Sequence, residues 1–121
     1  MQIVENKISI AELKKMAQNM FGDLVKAVVD IEKEIMVVDA PMHVDQELLL
    51  LENDSKQENL WGINIFPDQY GTEKFIVFDS MINLRPSWGN RSRGVDNPEI
   101  QIKIKNKYTF QFYKKNQRFN K

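Results

Sequence analysis

The segment Asn83–Val95, NLRPSWGNRSRGV, concentrates the groups best suited to chemistry. Of 17 lysines and arginines only four are arginine (Arg85, Arg91, Arg93 and Arg118), and three of them lie here. A guanidinium offers a planar fork of donors that matches phosphate or carboxylate. Gly89 and Gly94 can adopt positive φ or admit backbone close to a ligand, and Trp88 offers a face on which a base or a partner's side chain can stack. The pattern matches neither the GxxxxGK[ST] phosphate loop nor the GxGxxG dinucleotide turn. The competing expectation is an internal clamp, with the arginines tied to Asp79, Asp96 or Glu99 and Trp88 covering the core edge. A binding loop requires Arg91 and Arg93 to be exposed and unpaired; a clamp requires them to be engaged.

A second polar group lies just upstream. If Phe75–Leu84 is a strand, alternation puts Asp79, Asn83 and Arg85 on one side and Ile76, Phe78, Ile82 and Leu84 on the other. Asn64 has the polar parity of the preceding strand. The candidate ligand-binding set is therefore Asn64, Asp79, Asn83, Arg85, Trp88, Asn90, Arg91 and Arg93, which could orient a polar ligand. An ordinary solvated sheet face with one cross-strand ion pair gives the same pattern. His43 is the sole histidine; beside Asp39 or Asp45 it suggests acid–base work, although a histidine at a helix start is more often polar or capping. Asp39, Asp45, Glu47 and Glu52 lack the spacing of a calcium loop, and the chain has no cysteine, so no metal or cofactor is expected.

The elements that position these groups follow from periodicity. Ser9-Ile10-Ala11-Glu12 has capping-box spacing; Ile10, Leu13, Ala17 and Met20 then recur at helical steps, and Gly22 is a stop. Ile3-Val4 suits a sheet edge. LVKAVVDIEKEIMVVDA predicts two strands, about 24–31 and 35–39, with a tight turn that lacks Asn-Gly or Asp-Gly. Pro41–Ser55 suggests a second helix, with Asp45 as its cap, although the run Leu48–Leu51 suits a buried strand equally well. Leu60–Phe66 and Phe75–Leu84 read as a hairpin. Asn97-Pro98-Glu99 is a helix start. Beyond it, Ile100, Ile102 and Ile104 alternate as in a strand, while Ile100, Ile104 and Tyr108 share a helical face; cap chemistry favours helix to about Lys105.

The 121 residues suit one domain with its own core. The net charge of zero hides an acidic stretch from Asp23 to Glu58 and a basic, aromatic C-terminal stretch. The tail aromatics Tyr108, Phe110, Phe112, Tyr113 and Phe119, interleaved with lysines, could stack on nucleic acid, dock back on the domain or pack in a homodimer. A basic face over the whole domain is not evident, which argues against a dedicated DNA binder. With no signal peptide and no apolar run long enough to span a bilayer, the expected location is cytoplasmic.

Three strings, ELKKMAQNMFGDLVKAVVDIEKEIMVVDA, SKQENLWGINIFP and FDSMINLRPSWGNRSRGVDNPEI, resemble a family of short prokaryotic proteins of unknown function. The resemblance covers about residues 2–105, and it implies a single small domain with no activity, cofactor or substrate to carry over. The expected fold is α+β and two-layered: a roughly four-stranded, mainly antiparallel sheet with two or three helices on one face, over residues 1–107, followed by a basic aromatic tail, 108–121. The expected function is a non-enzymatic binding module whose loop 85–94 takes an anionic ligand, a nucleic-acid backbone or an acidic protein segment. The alternatives are a small enzyme built on Asp79 with His43 or the arginines, and a structural or oligomerisation protein.

Overall fold

In the computed structural model, which describes residues 1–109 and 111–114, seven strands and three α-helices follow the chain as β1 (Gln2–Val4), β2 (Ile8–Ser9), α1 (Ile10–Asn19), β3 (Val25–Asp30), β4 (Ile35–Val38), α2 (His43–Glu52), β5 (Leu60–Ile65), β6 (Ile76–Val77), α3 (Pro98–Thr109) and β7 (Phe112–Tyr113). The main sheet has the order β1-β4-β3-β5-β6, and each adjacent pair is antiparallel. The fold is α+β as expected, with five strands in place of about four and a small parallel pair, β2 with β7, added beside it.

The helices do not share one face. Val25, Ala27, Val29, Met36, Val38, Trp61, Ile63 and Ile65 form one core with Leu13 and Ala17 of α1 and Ile104 and Tyr108 of α3. The alternate positions Val28, Val37 and Leu60 form a second core with Leu50 of α2. The central strands are apolar at both parities, so both faces of the sheet need cover.

Local chemistry explains most boundaries. Ser9 Oγ accepts from the Glu12 N–H at 3.1 Å, which caps α1, and donates to Glu12 Oε1 at 3.0 Å, so the carboxylate returns to the Ser9 hydroxyl. The β3–β4 turn dispenses with Asn-Gly because Asp30 Oδ1 accepts from the backbone N–H of Glu32 and Lys33, at 2.9 and 3.0 Å, while Ser55 Oγ donates to Oδ2 at 2.6 Å. Asn97 Oδ1 caps α3 through the Glu99 N–H. There the helical face prevails: Ile104 and Tyr108 are buried, and Ile102 is exposed.

Tyr108 and Phe112, placed in the tail by sequence, lie in the core. Tyr108 Oη approaches the carbonyls of Asp30 and Ile35, at 2.6 and 3.0 Å. Burial, then the charges of Asp30 and Glu34, push its phenol pKa up and keep it a donor. Phe110 and Phe119 fall outside the described residues.

The expected strand Phe75–Leu84 is corrected most. Only Ile76–Val77 pairs with β5. The chain leaves the sheet after Val77, and at Ser80 it turns: the Ser80 N–H donates to Arg93 O, and its Oγ accepts from the Ile82 N–H to start a single 3-10 turn, Met81–Asn83. The alternation that set Asp79, Asn83 and Arg85 on one sheet face therefore does not exist.

Candidate anion-binding cleft

The edge of β5 beyond β6 is closed by side chains. The fully buried Asn83 accepts from the Gly62 N–H through Oδ1 at 2.8 Å; its Nδ2 donates to Gly62 O and Arg93 O, each at 3.0 Å. One carboxamide thus stands where a neighbouring strand's peptide would. Gly62 admits this packing because a Cβ there would meet Ser80 Cβ at 2.5 Å. Arg85 continues the edge by donating to Gln57 O and Leu60 O. Its guanidinium carbon sits 4.4 Å from the Trp61 ring centroid and 5.6 Å from that of Trp88.

The loop folds around Asn90. Its Nδ2 lies 2.7, 3.1 and 2.8 Å from the carbonyls of Asn83, Ser92 and Gly94, and Oδ1 accepts from the Asp96 N–H. Asp96 in turn accepts from Ser92 Oγ and the Arg91 N–H, which lowers its pKa. Gly89 adopts φ +88°, as the turn requires; Gly94 has no positive φ.

The expected polar patch thus divides. Asn83, Arg85 and Asn90 are engaged internally. Trp88 is 56% exposed. The Arg91 side chain is exposed and makes no ion pair among the described residues. Arg93 pairs with Asp79, Nε to Oδ1 at 2.8 Å, with both side chains about half exposed.

Asn64, Asp79 and Arg93 do converge, in a cleft of about 340 Å³ between the start of α2 and residues 79–82. Lys26 and His43 join them, and Phe21, Leu24, Met42, Val44, Met81 and Ile82 supply apolar walls. Lys26 and Asn64 are cross-strand partners on the α2 side of the sheet. Asn64 Nδ2 donates to Asp79 O at 3.2 Å, and its buried Oδ1 has no partner among the described residues. Met42 is the N-cap of α2 and supplies no side-chain cap, so the first free N–H groups of the helix open at this end. Asp45 lies within the first turn instead of capping it.

His43 Nε2 lies 2.8 Å from Ile63 O. A carbonyl only accepts, so Nε2 carries the proton, and in the neutral ring Nδ1 holds the lone pair. Burial lowers the His43 pKa and Lys26 lowers it further, against the opposing effects of the Ile63 hydrogen bond and Asp79. One turn on, Gln46 Nε2 donates to Lys26 O at 2.8 Å. Both side chains pin α2 to the sheet. Among the described residues no cluster of three histidine or acidic side chains could hold a metal ion, and no helix is long and apolar enough to cross a membrane.

A family model described as "Protein of unknown function (DUF5674)" matches residues 2–109. The chain belongs to this family. The match runs through α3 and includes every residue of the cleft and of the arginine-bearing loop. Neither the curated proteins nor the solved structures contain a match. Within this DUF5674 member, sequence reasoning missed Lys26, Phe21, Met42 and Val44 as cleft residues. Lys26 had a signal, being the one charge inside the apolar run Leu24–Val29. The uncapped start Pro41-Met42-His43 was a second.

Proposed function

We propose that this chain is a non-enzymatic binding module and that the cleft, not the outer loop, takes a small oxyanion, phosphate or carboxylate. The observation that carries this reading is the convergence of Lys26, Arg93 and the uncapped N-terminus of α2 on one apolar-walled cleft. With His43 neutral, Lys26 and Arg93 outweigh Asp79 by one positive charge. The ion pair uses Arg93 Nε, which leaves both terminal nitrogens of the fork for an incoming anion. Asp79 thereby orients the guanidinium. The loop 85–96 acts as the clamp that holds Arg93 and residues 79–82 in place. Isothermal titration with inorganic phosphate and with acetate tests this: Lys26→Ala and Arg93→Ala each weaken binding, and Arg91→Ala does not. Equal loss on Arg91→Ala, or no saturable heat from the wild type, overturns it.

A second reading, a small acid–base enzyme, draws on one observation: His43, held neutral with its lone pair on Nδ1, lines the same cleft as Asp79. It requires a ligand on which that pair acts, and the same titrations supply the first candidates.

A further inference from the structure

The arginine of the cleft does not stand alone. Arg93 Nε meets Asp79 Oδ1 at 2.8 Å, so a plain anion that reaches the guanidinium also arrives beside a carboxylate, which cancels part of its attraction. Lys26 makes no ion pair among the described residues; its Nζ stands 5.1 Å from the Phe21 ring centroid. Asp79 is the one acidic side chain among the described residues that line this cleft, since Asp39, Asp45 and Glu52 line a separate depression.

Two acceptors of the cleft are left over. The ion pair uses Asp79 Oδ1 and leaves Oδ2. The buried Asn64 Oδ1 has no donor among the described residues, while Asn64 Nδ2 holds the amide to Asp79 O by a long bond of 3.2 Å. A buried acceptor without a donor is costly, and a carboxylate such as acetate, which brings only lone pairs, supplies none. Four exposed apolar side chains, Phe21, Met42, Val44 and Met81, line the same cleft, and a bare oxyanion covers none of them. The volume of about 340 Å³ lies at the small end of the range for ligand clefts, about 300–1,000 Å³, and suits one small molecule.

We propose that the cleft takes a free α-amino acid with an apolar side chain. Its carboxylate lies against Lys26 and the terminal nitrogens of Arg93. Its ammonium, on the adjoining carbon, donates to Asp79 Oδ2 and, after a small rotation of the amide, to Asn64 Oδ1. Its side chain covers Phe21, Met42, Val44 and Met81. A guanidinium and a carboxylate side by side in the protein thus match a carboxylate and an ammonium side by side in the ligand. Asp79 becomes a partner of the ligand instead of an opponent. An acid without the amine still meets Asp79, and an amine without the acid meets Lys26 and Arg93, so each half alone is disfavoured. This inference rests on the anion reading of the cleft and names the class of carboxylate.

Calorimetric titration of the whole chain tests it with L-leucine, with isocaproate, which is leucine without its amine, and with leucinamide, which lacks the carboxylate. Leucine binds about ten-fold or more tighter than either, the increment expected of one charge-assisted contact. Asp79→Asn, which keeps an oxygen for Arg93 Nε, weakens leucine about ten-fold on the same basis and strengthens isocaproate, with an unchanged circular-dichroism spectrum. Equal affinity of the wild type for leucine and isocaproate overturns the proposal, as does an Asp79→Asn protein that loses both alike. In those cases saturable binding of acetate and phosphate to the wild type leaves the anion reading standing. If neither phosphate nor any of the carboxylates binds, the anion reading itself fails and the proposal with it.

Discussion

Replacing Asn83 by alanine should destabilise the whole domain through the edge of β5. The change removes three hydrogen bonds, one from the Gly62 N–H and two to carbonyls. Each contributes about 1 kcal/mol net, and leaving the buried Gly62 N–H without an acceptor adds to the loss, so the total cost is about 3–4 kcal/mol. With an unfolding entropy of about 2.1 cal/mol/K per residue, the 121-residue chain should lose about 12–16 °C in Tm. Urea unfolding followed by circular dichroism and tryptophan fluorescence measures it, and both probes should agree because Trp61 lies in the affected strand. Asn83→Asp should cost at least as much, since it keeps the acceptor, loses the donor and buries a charge. A loss of less than about 1 kcal/mol for Asn83→Ala would refute the view that this carboxamide substitutes for a missing strand.

Arg85→Ala should cost about 2–3 kcal/mol by urea titration, because it removes two charge-assisted hydrogen bonds to carbonyls and opens the stack between Trp61 and Trp88. Arg91→Ala should stay within about 0.5 kcal/mol of wild type in the same assay, and Arg93→Ala should lose no more than about 1 kcal/mol because its ion pair is half exposed. Gly62→Ala should destabilise by about 1–3 kcal/mol, since its Cβ would sit 2.5 Å from Ser80 Cβ. The pKa of His43 is lowered in the folded state, so the unfolded chain takes up this proton first as pH falls; the contribution is complete above the ordinary value near 6.5 and shrinks below it. Stability should therefore decline between pH 7 and 5, and His43→Gln should flatten that decline in a pH series of melting curves.

Most of the framework could be read from the residues. The capping-box spacing at Ser9, the β-branched run of β3 and β4, and Pro98 after Asn97 each name an element by local chemistry. The division of the helices between two faces was also written in the strands, since Val28, Val37 and Leu60 are as apolar as their neighbours; two-layer reasoning put two or three helices on one face, where α1 and α3 do lie, and left the face that α2 covers without a helix. Residues 75–84 misled because Phe75, Val77, Ile82 and Leu84 suit a strand locally, whereas the turn at Ser80 depends on bonds to Arg93 and Asn83, ten or more residues away in the case of Arg93. Asn83 and Asn90 looked like ligand-facing amides; their role as substitutes for backbone partners is a tertiary fact with no local signature. The cleft was half legible. Asn64, Asp79 and Arg93 were named, but Lys26 was hidden in a strand, and His43, read beside Asp39 or Asp45, has Lys26 and Asp79 as its charged neighbours instead.

The central claim, that the cleft and not the arginine loop receives an anion, is most directly tested by following backbone amide NMR signals during titration with inorganic phosphate. The account predicts saturable shifts at residues 42–44, 64, 79–82 and 93 that vanish in the Lys26→Ala, Arg93→Ala double variant. Shifts confined to residues 88–92, or a spectrum that phosphate leaves unchanged, would contradict it.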